Sequence, residues 1–118
     1  MANPSTTRGK VVLVPFPFDD LSATKLRPSV CLTEPIGANR HVIVAFITSR
    51  KVSDLLPTDI ALPMNHPDFG ATGLRADSVL RLHRLITLST SIIKRELGRL
   101  SPALEREANN KLKLLFSL

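Results

Sequence analysis

The 118-residue chain (13.0 kDa) is 43% hydrophobic and 22% charged, which is apolar enough for one modest core and too apolar for a disordered segment. No apolar run approaches the ~20 residues of a membrane-spanning helix, MANPSTTRGK lacks the basic-then-apolar layout of a signal peptide, and the lone Cys31 excludes an internal disulfide, so the expected setting is the cytoplasm. Sixteen Lys+Arg against ten Asp+Glu give a net charge of +6, a field that gathers polyanions, while the absence of Trp and Tyr rules out base stacking as the main means of holding them.

Taken in order, residues 1–8 are small and polar and read as a loose arm ahead of a single domain spanning 1–118. The β-branched run from Lys10 to Val14 predicts a first strand. PFPFDDLSATKL then interrupts any regular structure for a dozen residues, the length at which loops carry function. RPSVCLTE is a second strand, with Pro28 confined to its first residues because it cannot donate to a ladder. A turn at 35–39 leads to HVIVAFITS, apolar on both faces and therefore central. DIALP (59–63) is a short fourth strand, and MNHPDFGATG a second irregular loop. DSVLRLHRL predicts a fifth strand with one solvated basic face carrying Arg81 and His83. STSIIKREL reads either as a short helix or as a turn leading into a strand through RELGRL, with a helical turn and then a strand preferred. Ser101 as N-cap, Pro102 at the first helical position and Leu104, Ala108, Leu112 and Leu115 on one face predict a closing amphipathic helix. The fold class is mainly β: five strands forming a small antiparallel barrel, with the C-terminal helix over one opening.

The residues do not form the usual catalytic constellations. His41, His66 and His83 lack metal-ligand spacing, so no metal and no cofactor are expected. The five glycines fall singly, without a phosphate-cradling loop. Cys31 reads as a small buried hydrophobe. One juxtaposition stands out. Arg27 opens the second strand and Thr48–Ser49 close the third. Antiparallel pairing brings these ends together, with Lys25, Arg50 and Lys51 around them. A guanidinium beside a hydroxyl in a cationic ring suits a phosphodiester. Read from the residues alone, Arg27 is either this or an ordinary solvated edge residue.

RGKVVLVPFPFDDLSATKLRPSVCL, then HVIVAFITS, then GLRADSVLRLHRLITLSTSIIKRELGRLS with its terminal helix, resembles the MazF/PemK toxin endoribonucleases of type II toxin–antitoxin systems. The resemblance runs from Arg8 to the C-terminus, and its most specific parts are the Arg-Pro strand and the strand ending in Ile-Thr. It implies an SH3-like barrel of the CcdB/MazF type and a homodimer. It further implies a cognate antitoxin competing with single-stranded RNA for one groove, and growth inhibition by metal-independent cleavage. The family's catalytic pair falls on Arg27 and Thr48, with Lys25, Ser49, Arg50 and Arg81 as RNA contacts. Attack by the ribose 2′-hydroxyl would leave a 2′,3′-cyclic phosphate and a 5′-hydroxyl. Two alternatives accompany the resemblance: a CcdB-like inhibitor that binds DNA gyrase without catalysis, and a degenerate relative that only binds RNA or antitoxin. Two departures also stand out. Lys10 replaces an acid common in relatives and is expected to add charge near the rim, and His83–Arg84 replace residues such as Gln, Asp or Lys.

Overall fold

The computed structural model describes residues 6–15 and 25–118. Residues 1–5 of the N-terminal arm and 16–24 of the first long loop lie outside the described residues. The described end of the arm is held in place, since Glu34 accepts the backbone N–H groups of Thr7 and Arg8 at 2.9 and 3.2 Å.

Among the described residues, six strands form one antiparallel sheet: β1 (Lys10–Pro15), β2 (Leu26–Cys31), β3 (His41–Thr48), β4 (Asp59–Leu62), β5 (Ser78–Ser89) and β6 (Arg95–Arg99). Their spatial order is β4-β5-β3-β2-β1-β6. The five strands expected from the sequence are all present. The sixth forms from the preferred reading of 89–100, a 3-10 turn at Thr90–Ile92 followed by a strand, which pairs with β1 through Leu13↔Arg95 and Lys10↔Arg99. Strand β2 ends at Cys31, three residues earlier than the sequence predicts, and β5 runs on to Ser89.

Alternation along the central strands sends apolar residues to both sides, so the sheet carries two cores. On one side Val11, Val30, Ala45, Ile47, Leu80 and Leu82 meet Leu104 and Ala108 of helix α2 (Pro102–Phe116, numbered after the one-turn α1 at Phe69–Thr72). On the other, Val12, Val14, Cys31, Val44, Phe46 and Leu88 pack together. Each fully buried Val or Leu contributes about 1.5–3 kcal/mol. Helix α2 begins as expected: Ser101 accepts the Leu104 N–H at 3.1 Å, with Pro102 at N1. The Ser101 hydroxyl also donates to Asp68 at 2.7 Å, and Lys111 donates to the Asp59 carbonyl at 2.6 Å. These bonds fasten the helix to the segment before α1 and to β4.

The sheet curls into a half-barrel whose two outer strands are bridged by α1. This one-turn helix, within the loop expected to be irregular, follows the β4 edge and lies against the β6 edge. A Cβ on Gly98 of β6 would stand 2.6 Å from the Thr72 carbonyl carbon. Gly73 ends α1 with φ +73°, a conformation open to glycine. A Cβ there would stand 2.6 Å from the Leu97 carbonyl carbon.

Candidate active site

Strands β2 and β3 pair through Ser29↔Phe46, Val30↔Ala45 and Cys31↔Val44. Continuing that register by two residues sets Arg27 opposite Thr48, as antiparallel pairing of these strands predicts. Opposed residues share a face. Arg27, Phe46 and Thr48 therefore point to one side of the sheet, and all three line a cavity of about 570 Å³.

Strand β5 completes the wall through an irregularity. Ala45 pairs with Leu85, but the next residue, Phe46, pairs with Arg81, so Leu82–Arg84 are looped into a bulge. The three-residue slip changes which face each half of β5 presents. Leu80 and Leu82 enter the helix-side core, while Arg81 comes to the face of Phe46. Arg84, on the opposite parity from Arg81 in a regular strand, also reaches this cavity, its guanidinium 5.6 Å from the Phe46 ring centre.

The expected solvated basic face is thus altered. Arg81 is only 20% exposed at its side chain, and its Nε donates to Asp59 Oδ1 at 3.3 Å. The Asp59 side chain is fully buried, and Oδ2 accepts the Leu56 N–H at 2.8 Å. His83 stays exposed, with Nδ1 3.9 Å from Asp59, and is not part of the cavity wall. Burial holds its pKa below the ordinary imidazole value, and the Arg81 charge adds to this, while Asp59 pulls the other way.

After β3 the chain turns along the rim, bringing Arg50 and Lys51 to the cavity. Five cations therefore line it (Arg27, Arg50, Lys51, Arg81 and Arg84), with Asp54 as the acid among the described lining residues. Thr48 Oγ1 accepts the Arg50 N–H at 3.1 Å, which leaves the hydroxyl proton available to donate outward. Arg27 is half-buried with its Nε shielded from solvent, so its stem is fixed by packing while the fork borders the cavity. The arrangement can grip an anion with several guanidinium and hydroxyl donors at once.

Of the residues expected at the site, Arg27, Thr48, Arg50 and Arg81 come together here. Ser49 faces the reverse side of the sheet, and Lys25 is exposed ahead of β2, outside the lining. Phe46, Arg84 and Asp59 were not singled out as site residues by sequence reasoning. Arg84 arrives through a bulge that strict alternation hides, and Asp59 reads as an ordinary polar strand start. Lys10 lies at the far end of β1 from the rim and pairs with Glu96 at 3.3 Å, so the expectation of added charge near the rim is corrected. Cys31 is buried, as expected, and burial pushes its thiol up to about 11. Among the described residues no helix is long and apolar enough to cross a membrane.

Solved structures of toxins share this fold. An endoribonuclease bound to its cognate antitoxin, from a mycobacterial species, superposes with a TM-score of 0.67 at 18% identity, covering 97% of each chain. The Mycobacterium tuberculosis toxin MazF-mt6 gives 0.67 at 22% identity, over 94% of this chain and 98% of that one. The MazE–MazF structure from Deinococcus radiodurans gives 0.65 at 18%, over 94% of each. At these identities the likeness is one of fold. No curated protein sequence matches the chain. The family model for the PemK-like, MazF-like toxins of type II toxin–antitoxin systems matches residues 7–116, nearly the whole chain, and this protein belongs to that family.

Proposed function

We propose that this chain is a metal-independent, sequence-selective endoribonuclease that arrests growth by cutting single-stranded RNA in the cytoplasm. The observation that carries the reading is that Arg27 and Thr48, which the β2–β3 register assigns to one face, line the same five-cation cavity. The scissile phosphate lies in that cavity. The 2′-hydroxyl of the preceding ribose loses its proton to solvent and attacks phosphorus. The bond to the 5′-oxygen breaks, and that oxygen takes a proton from water. The products are a 2′,3′-cyclic phosphate and a 5′-hydroxyl. Arg27 does not act as a base, because a guanidinium carries only donors and has no lone pair to take a proton. It grips two phosphate oxygens and stabilises the charge that builds on them in the transition state. Thr48 donates its free hydroxyl proton to the phosphate, its oxygen being oriented by the Arg50 N–H. Arg50 and Arg81 hold flanking phosphates, with Lys25 and Ser49 as outlying contacts. DNA is spared because it lacks the attacking 2′-hydroxyl.

The active form is a homodimer, and an acidic segment of the cognate antitoxin occupies the same cationic surface. The proposal is tested with purified protein and single-stranded RNA in EDTA. Fragments with 5′-hydroxyl ends are expected from the parent. Arg27→Ala and Thr48→Val should each slow cleavage by about 10²–10³-fold, the usual cost of losing one transition-state donor. A folded Arg27→Ala protein that cuts at the parental rate would refute the assignment, and a parent that binds gyrase without producing fragments would point to the inhibitor class instead.

A further inference from the structure

Behind Arg27 and Thr48 the same strand ends shape a second hollow. Successive residues of a strand face opposite ways, so Pro28 and Ser49 point to the reverse side, where they border a cavity of about 390 Å³. Leu13, Leu74 and Leu97 give it an apolar floor, and Leu74 and Leu97 also pack on the helix-side core, so that floor is anchored. Two cations, Arg75 and Arg95, stand at its rim with the Ser78 hydroxyl. Both arginines are exposed, and among the described residues their side chains make no ion pair or hydrogen bond. The acids beside them in sequence are occupied elsewhere: Asp77 accepts the Met64 N–H at 2.7 Å, and Glu96 pairs with Lys10 at 3.3 Å. Ser78 Oγ already donates to the Ala76 carbonyl at 2.7 Å, which leaves its lone pairs to accept from a ligand.

We infer that this cavity is a second nucleotide subsite, taking one base of the RNA strand on its leucine floor and an adjoining phosphate on Arg75 and Arg95. The inference rests on the reading under Proposed function. An apolar floor beneath a paired-arginine rim matches the two ends of a nucleotide, whereas an acidic peptide offers carboxylates without a planar apolar body. The volume falls within the range of small-ligand pockets. Residues 27–28 and 48–49 are consecutive, so the same two strand ends border both cavities, and an RNA strand that rounds the rim passes from the first to the second. Selection of bases beside the cut then depends on both sides of the sheet.

The test compares the parent with Arg75→Ala/Arg95→Ala on a single-stranded oligoribonucleotide carrying a mapped cut site, and on versions trimmed from either end. The double variant should raise KM about tenfold on the full-length oligonucleotide, as expected when a pair of charge-assisted hydrogen bonds is removed, with kcat within about a factor of two. Its log–log salt slope should become shallower by about 0.7 for each phosphate it no longer holds. A trimmed oligonucleotide that no longer reaches the cavity should be cut equally by both proteins. An unchanged KM on the full-length substrate, or a fall in kcat with KM intact, overturns the inference while leaving the nuclease reading in place. Binding of the 2′-O-methyl oligonucleotide, which lacks the attacking hydroxyl, is measured in parallel. If the parent cuts nothing, the nuclease reading fails, and weaker binding by the double variant still upholds the subsite, whereas equal binding ends it. Loss of affinity for an acidic peptide with RNA binding unchanged would assign the cavity to a protein partner and overturn the proposal.

Discussion

Asp59 is the residue on which the arginine wall depends. Its carboxylate has no exposure, and Arg81 is its nearest cation. Removing Arg81 would leave a buried charge without its partner, a change that costs about 3–5 kcal/mol in buried pairs. Because Arg81 keeps 20% exposure, the lower end of that range is expected for Arg81→Ala, read as a shift in the urea midpoint. Arg84→Ala, which removes the guanidinium stacked on Phe46, should cost about 1 kcal/mol or less. His83 gives a pH dependence of definite sign. Its folded pKa lies below the ordinary 6.5, so the unfolded chain takes up the proton more readily than the folded one. Stability is complete above that value and declines as the pH falls through it. His83→Gln should lose less stability than the parent on acidification, measured by urea midpoints on either side of pH 6.5. That Arg27 and Thr48 meet at one rim was legible in the sequence, because it needs only two strand ends and antiparallel pairing. The burial of Asp59 was not legible, since nothing in DIALP distinguishes a submerged carboxylate from a solvated strand start.

At the scale of elements, the strands with strong β-branched runs and the helix with a Ser-Pro start were readable because local preference and final structure agree. Strand β6 is of another kind. Its sequence, RELGR, holds three charged residues and a glycine, a composition poor in β preference, and it becomes a strand by pairing with β1. The one-turn α1 is too short to have a period, and packing on β6 fixes it. That packing is demanding. Gly98→Ala should destabilise the protein by about 1–3 kcal/mol through overpacking against Thr72. Gly73→Ala should cost at least as much, because it adds a left-handed residue to a backbone clash. Thermal unfolding measures both. Ser101→Ala removes the cap of α2 and its tie to Asp68 together, and about 1–2 kcal/mol of lost stability is expected.

For the whole molecule, the net charge of +6 and the five-cation cavity act in the same direction. RNA binding should therefore weaken steeply with salt. Each phosphate held contributes about −0.7 to the slope of log K against log salt. Holding three to five phosphates gives a slope between about −2 and −3.5, and a value near zero would disagree with a phosphate-gripping surface. The half-barrel class and the placement of α2 could be read from strand count, spacing and the terminal helix pattern. The geometry of the cavity could not, because it depends on how far β5 slips against β3, and that slip is set by tertiary packing.

The bulge at Leu82–Arg84 also makes chain length in this stretch critical. The slip spans an odd number of positions, which lets the two halves of β5 present opposite sides to their surroundings. Deleting any one of the three residues would leave an even offset. Either Leu88 would then turn out of its packed cluster, or Arg81 would exchange places with Leu80 and drive a guanidinium into hydrocarbon. The exposed turn at 37–39 has no such alternation to preserve. Insertions and deletions should accordingly be tolerated there and rejected in the bulge, even where every substitution in the bulge is mild.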